Sequence, residues 1–350
     1  MVIDWMVYSI FTVLFKNKTI FIAPLDWGLG HATRCVSIIK QLSIDNTVLL
    51  GVTPLTKIIF DEELPGLKQI ELPSYNVRYS NIFPLWMKLG FSVPQISRII
   101  AEENTLLAKL ISTHKIDVVI SDNRFGLHSK KAYSVFITHQ LFLKAPVFVG
   151  IANRINKKYI LNFNEVWVPD YEGENSLSGE LSQSKNHPDS YRDHKNVKYI
   201  GAQSRLKDIV VTVEENKYDY LILLSGPEPI RTSLENILVN TFKNSDKKIA
   251  LVRGTKSVGI CSWQSAVSCE VFDLPSKEIL KKLILSSHKI ICRSGYSTLM
   301  DMHLLGKKEL ILIPTPGQSE QEYLAKYWKE KFGAEIILQK EIKKLNSLKA

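Results

Sequence analysis

The chain has 350 residues, enough for two domains that each bury a core of their own. Hydrophobic residues make up 45% and charged residues 23%, a globular composition that excludes a disordered chain. The net charge of +10 favours anionic partners. With no arginine-rich run and no basic stretch interleaved with aromatics, nucleic acid is set aside, which leaves phosphorylated small molecules and anionic membrane surfaces.

The N-terminal run Val2 to Phe15 is apolar apart from Asp4, and Lys16 and Lys18 follow it. The charge lies on the wrong side for a signal peptide, and the run is shorter than the roughly 20 residues that cross a bilayer. Three readings stay open: an interfacial anchor with Trp5 and Tyr8 at headgroup level, a segment capping the first domain, or an extension upstream of the real start. Thr19 to Leu25 then reads as the first strand, followed by a glycine turn and an amphipathic helical run, Cys35 to Leu42. Thr47 to Val52 and Gln69 to Leu72 read as strands, and Pro84 to His114 as helix broken at Pro94. Overlapping its start, Asn81 to Ile100 is aromatic and apolar with Lys88 and Arg98 interspersed, which suits a membrane-docking surface or an ordinary core helix with a solvated face. Asp117 to Ser121, Ser134 to Thr138, Val147 to Ile151 and Glu165 to Val168 are short apolar or β-branched runs typical of buried parallel strands. Glu172 to Asn196 is polar and aperiodic, a surface loop, and Tyr199 to Gly201 makes a last short strand.

A second α/β pattern starts at Tyr218. Its strands are Tyr220 to Leu224, Lys248 to Val252, Cys269 to Phe272, Lys289 to Cys292 and Glu309 to Ile313. Helices fall at Ile230 to Phe242, Ser276 to Leu285, Ser297 to Leu305 and Ser319 to Lys331. The economical organisation is α/β throughout: an extension over 1–18, a Rossmann-like domain over 19–201, a linker over 202–217 and a second Rossmann-like domain over 218–350, the two facing a cleft. Cys35, Cys261, Cys269 and Cys292 form no CxxC or Cys/His ligand spacing, which fits a reducing cytosol. The histidines are scattered as well; His187 and His194 share a polar loop that nothing completes. No metal is expected.

Chemistry concentrates at the turns that leave the strands. Ser225 and Gly226 sit between a strand and a helix, where backbone N–H groups approach an anion, and Arg253 ends the next strand. Later, Arg293-Ser294-Gly295-Tyr296 leads into a helix opening at Ser297 or Thr298, with hydroxyls and free N–H groups suited to phosphate. Asp301 lies one turn inside that helix, placed to accept from a ribose diol. After the next strand comes a rigid turn, Thr315-Pro316-Gly317-Gln318, and then Glu320, Gln321 and Glu322, whose carboxylates and amide can read sugar hydroxyls. A plainer reading makes Glu320 and Glu322 partners of the helix dipole and Ser294 and Ser297 helix caps. Two such turns after adjacent strands weigh against it.

The stretch Ile291 to Leu324 resembles the C-terminal signature of glycosyltransferase family 28, two-domain GT-B enzymes that include the one completing lipid II. The resemblance implies diphosphate contacts at Gly295 and Ser297, ribose at Asp301, and sugar at Gln318 to Glu322 with Gln321 central. Phe272 matches the position whose backbone reads the base. Asp301 stands where the family usually has glutamate. In the first half, Asp26 to Arg34 (DWGLGHATR) resembles the family's glycine-rich turn ending in histidine, here Gly28, Gly30 and His31. It is not a dinucleotide fingerprint, because GxGxxG would need glycine at Thr33. Asp122 would orient His31 as a catalytic base, or else cap a helix.

The resemblance implies an inverting, metal-independent, cofactor-free transferase working in the cytoplasm or at the inner face of the cytoplasmic membrane. It would move a hexosyl or N-acetylhexosaminyl group from a nucleotide-diphosphate sugar, expected to be UDP-linked, to a hydroxyl acceptor of lipid-linked or cell-envelope type. The alternatives are a UDP-sugar 2-epimerase of the same fold and a non-catalytic nucleotide-sugar-binding protein.

Overall fold

The computed structural model describes residues 15–75, 85–183, 196–255 and 269–347. Val2 to Leu14, Asn81 to Pro84, His187, His194 and Cys261 lie outside the described residues. The chain divides into two compact units, the first made of Met1–Val77 and Lys88–Ser204 and the second of Arg78–Met87 and Arg205–Ala350.

In the first unit, seven parallel strands are β1 (Thr19–Pro24), β2 (Thr47–Val52), β3 (Lys68–Glu71), β4 (Val118–Asp122), β5 (Tyr133–Ile137), β6 (Glu165–Val168) and β7 (Val197–Tyr199). Their order is β3-β2-β1-β4-β5-β6-β7, so the chain reverses its direction of winding between β1 and β4. Both faces of the central strands are buried, which is why they read as unbroken apolar runs. Ile20, Ile22, Val48, Leu50, Val118 and Ile120 pack on one face against α1 (Leu29–Leu42) and α2 (Pro54–Glu63). Phe21, Ala23, Leu49 and Val119 pack on the other against α3 (Leu85–His114), through Leu107, Leu110 and Ile111. Phe15, the last residue of the apolar N-terminal run, joins this core beside Trp167.

Five readings of the first half change. Helix α1 begins at Leu29, six residues before the expected start, because Gly28 caps it in a conformation (φ 134°) open to glycine. Helix α2 was not anticipated, although Thr53, Pro54 and Thr56 form a capping box with proline in the first turn. Pro94 lies inside α3 without ending it. The expected strand Val147 to Ile151 is instead the entry to helix α4 (Val149–Ile160), whose apolar residues there are exposed rather than sheet-buried. The described part of the expected surface loop also proves partly internal. Buried Asp170 accepts from Leu177 N (2.7 Å), Ser176 Oγ (2.8 Å) and Ser182 Oγ (2.9 Å), so the polar residues of that segment face a carboxylate and not water.

The second unit repeats the architecture with six parallel strands: β8 (Tyr218–Leu223), β9 (Ile249–Val252), β10 (Cys269–Phe272), β11 (Ser287–Cys292), β12 (Leu310–Leu312) and β13 (Glu335–Ile336). The order β10-β9-β8-β11-β12-β13 puts the reversal between β8 and β11. Helices α5 (Ile230–Phe242), α6 (Lys277–Leu285), α7 (Tyr296–Leu304) and α8 (Ser319–Phe332) connect the strands. The short β13 and the 3-10 segment Gln339–Ser347 were not anticipated. Among the described residues, no helix is long and apolar enough to cross a membrane.

Candidate active site

In a doubly wound sheet, ligands bind outside the strand C-termini at the point where the winding reverses. In the first unit that point lies between β1 and β4. Pro24 and Asp122 are register partners there, and Leu25 N donates to Asp122 O at 2.9 Å. His31 follows β1 in the first turn of α1, and its Nδ1 lies 3.0 Å from Asp122 Oδ1. The sequence-predicted pair is therefore in contact.

Around that contact stands a buried cluster whose other members escaped the sequence reading. Arg34 Nε donates to Asp122 Oδ2 at 2.7 Å, and Arg34 Nη2 donates to Asp122 Oδ1. Arg34 Nη1 also reaches His139 Nδ1 at 3.2 Å, just beyond β5. Cys35 Sγ lies 3.4 Å from Asp122 Oδ2. Burial by itself would raise the Asp122 carboxyl, but the Arg34 guanidinium and His31 beside it hold it well below the usual carboxylate range. Burial, and then the Asp122 charge, pushes the Cys35 thiol up. The His31 side chain is 20% exposed against 3% for Arg34 and 0% for Asp122, so the imidazole is the part of the cluster that meets solvent. Because Arg34 follows His31 by three residues on one helix face, an earlier α1 start would have flagged it.

His31 Nδ1 also lies 2.9 Å from Arg34 Nη2. It cannot donate to Asp122 and accept from Arg34 at once. In the first tautomer Nε2 carries a lone pair and can take a proton; in the second Nε2 carries the hydrogen. The glycine turn is held from behind by Asp26, which accepts from Ser74 Oγ and, at 3.4 Å, from Tyr75 N. A Cβ at Gly28 would meet nothing within 4 Å, so open space adjoins the turn, and Gly30 lies inside the first turn of α1.

In the second unit the reversal point lies between β8 and β11, and both predicted turns leave from it. Ser225 and Gly226 follow β8; Gly226 has φ 100° and open space at its Cβ position. Ser294 and Gly295 follow β11. Gly295 is the N-cap of α7 and supplies no side-chain cap to the first turn of that helix, whose N–H groups point toward the strand C-termini's side, where an anion is favoured. Ser297 and Thr298 are half-buried in its first turn, and Asp301 is half-buried a turn further on.

The side chains at the neighbouring turn have structural partners. Thr315 N donates to Gln321 Oε1 (3.0 Å), Gln321 Nε2 donates to Gln318 Oε1 (2.5 Å), and Gly317 N donates to Glu322 Oε1 (3.0 Å). Gln318, Gln321 and Glu322 thus brace the turn, while Glu320 is half-buried beside them. The buried Ser294 hydroxyl donates to Gln321 O at 2.8 Å, which stitches the two turns together. Arg253 is not an open cation: its Nε donates to Glu235 Oε1 at 2.8 Å and its Nη1 to Asp273 Oδ1 at 3.0 Å. Phe272 O accepts from Arg253 N at 2.8 Å, so this carbonyl is turned into the sheet. Arg293, given no role of its own in the sequence reading, is buried with Nη1 on Ile313 O (3.1 Å) and Nη2 on Gln339 Oε1 (2.8 Å), and burial lowers its pKa to about 10. Among the described residues no group of three or more His, Cys, Asp or Glu side chains could hold a metal ion.

Comparison with known proteins follows this geometry. Residues 263–349 match the glycosyltransferase family 28 C-terminal domain. No curated protein matches the chain in sequence. Among solved structures, the glycosyltransferase SnogD from Streptomyces nogalater is 15% identical with a TM-score of 0.59, over 96% of this chain and 89% of that one. Spinosyn rhamnosyltransferase SpnG is 10% identical with a TM-score of 0.62, over 94% of this chain and 90% of that one. Arabidopsis thaliana UGT89C1 complexed with UDP-L-rhamnose is 14% identical with a TM-score of 0.58, over 93% and 86%. The chain therefore has the fold of the GT-B glycosyltransferases, and over residues 263–349 it is similar to the C-terminal domain of glycosyltransferase family 28.

Proposed function

We propose that the protein is an inverting glycosyltransferase that moves a hexosyl or N-acetylhexosaminyl group from a nucleotide-diphosphate sugar, UDP-linked in the first instance, to a hydroxyl acceptor. Residues 19–201 would carry the acceptor side and 218–350 the donor side, joined through 202–217. The observation that carries the reading is the contact between His31 and Asp122 at the first winding reversal.

In the tautomer with Nδ1–H donating to Asp122, His31 Nε2 takes the proton from the acceptor hydroxyl as it attacks the anomeric carbon. The Asp122 charge stabilises the imidazolium that forms. As the bond to the diphosphate breaks, N–H groups at the start of α7, with Gly295 leaving room and Ser297 and Thr298 adding hydroxyls, receive the developing charge. Ser225 and Gly226 offer a second set of donors. Asp301 accepts from the ribose, and Glu320 with the turn braced by Gln318, Gln321 and Glu322 accepts from the sugar. These donors replace a metal, so activity should persist in chelator.

A thermal-shift panel of UDP-, GDP- and dTDP-sugars, followed by product analysis with the stabilising donor, tests the donor half; dTDP is included because one SpnG structure is a complex with thymidine diphosphate. His31→Ala should lose about 10²- to 10⁴-fold in kcat, the usual contribution of a general base, while keeping the donor-induced shift. Full transfer by that variant would remove His31 as base. Conversion of a UDP-sugar without acceptor would identify an epimerase instead.

A further inference from the structure

Between Asn123 and Asn164 the chain carries seven Lys and Arg residues and no Asp or Glu. Helix α4 lies in this stretch and carries exposed aliphatic residues beside inward-facing asparagines. Two of its asparagines face the protein: Asn153 Oδ1 accepts from Leu143 N at 2.6 Å, and Asn156 Nδ2 donates to Gln140 O at 3.1 Å. The apolar residues leading into it and through its first two turns face water, with Phe148 76% exposed, Ile151 56% and Ile155 51%, flanked by Val147 and Val149 at 41% each, while Ile160 at its end is buried. A surface helix ordinarily shows the opposite arrangement. Contiguous exposed aliphatic and aromatic side chains of this kind mark a docking surface. Phe148 is held at φ 53°, in the left-handed region that side chains with a Cβ avoid, with its ring turned to solvent.

The charges around this ridge identify the partner. Arg154 and Lys158 are exposed on the same helix and Lys157 is half-buried, while Lys144, before the ridge, pairs with Glu180. We propose that the Val147–Lys158 face docks on an anionic lipid surface, with Phe148, Ile151 and Ile155 entering the headgroup boundary and Arg154 and Lys158 meeting lipid phosphates. A second copy of this chain is a poorer occupant, because each copy has a net charge of +10 and would set like charges opposite. The segment leaves β5 through His139, which touches Arg34 of the His31 cluster, so a docked ridge would hold that cluster near a lipid-linked hydroxyl. Docking does not require the transferase reading, which the lipid-free nucleotide-sugar panel tests separately.

The test is flotation of the full chain, titrated with phosphatidylcholine vesicles with and without 30 mol%, roughly, of phosphatidylglycerol at low and high salt. Partition should rise with the anionic lipid and fall with salt. Phe148→Asn with Ile151→Ser should lower it about tenfold or more, and Arg154→Gln with Lys158→Gln roughly fivefold per charge at low salt. All four positions are exposed, and asparagine tolerates the left-handed backbone, so thermal unfolding should be unchanged and exclude misfolding. No partition into anionic vesicles would overturn the proposal. So would variants that float like the wild type, which would put the affinity elsewhere in the chain. A dimer in light scattering that Phe148→Asn dissolves, without vesicle binding, would reassign the face to self-association.

Discussion

Replacing Asp122 by asparagine removes a buried carboxylate that holds the Arg34 guanidinium. The carboxylate is fully buried and accepts from Arg34 Nε and Nη2, with His31 Nδ1 3.0 Å away. Breaking such a pair from one side leaves an uncompensated buried charge and costs about 3–5 kcal/mol. For a unit of this size each kcal/mol lowers the melting temperature by about 2–4 °C, so Asp122→Asn should melt about 6–20 °C lower. Arg34→Met alone should cost a similar amount, because it strands the carboxylate. The double variant removes both charges and keeps most of the volume, so it should be more stable than either single one. The assay is equilibrium urea unfolding followed by circular dichroism at neutral pH, completed as a double-mutant cycle. A loss below about 1 kcal/mol for Asp122→Asn, or additive single and double variants, would refute the buried pair as the organiser of this site.

The same pair has a pH signature. The folded Asp122 carboxyl lies below its unfolded value near roughly 4, so its stabilisation is fully present above that pH and is lost as pH falls through the folded value. Wild type should lose stability below about pH 4 more steeply than Asp122→Asn, and equal acid slopes would contradict this. Two glycines should respond in opposite ways to alanine. At Gly126 a Cβ would lie 2.4 Å from Ile100 O and 2.6 Å from Glu103 Oε2, so Gly126→Ala should destabilise by about 1–3 kcal/mol in urea titration. At Gly295, with φ −73° and nothing within 4 Å, alanine should leave the melting temperature alone but diminish the shift produced by a nucleotide sugar. An undiminished shift would argue against an anion at the start of α7.

Local pattern carried most of the fold. Apolar runs in the central strands, buried on both faces, marked β1, β2, β4, β8 and β11 to within a residue or two at each end, and Ile230–Phe242 and Glu165–Val168 were located to the residue. It failed where tertiary context reverses the meaning of a run. Val147 to Ile151 has the composition of a buried strand, yet it enters a helix whose asparagines are held by the loop before it. The serines of 176–182 look like surface polarity until Asp170 is seen among them.

By itself, the sequence determined two winding α/β patterns and the glycine turns at which each reverses, because burial on both sheet faces and backbone freedom at turns are local requirements. It also picked out His31 and Asp122 as separate candidates. Their contact, and the presence of Arg34 and His139 around them, depend on β1 and β4 becoming neighbours across 88 to 105 residues of chain, which no local pattern encodes. Tertiary structure alone decided that Arg253 is tied to two carboxylates and that Gln321 braces its own turn. A side chain's residue type states what it can bond, but only the folded chain determines which partner reaches it first.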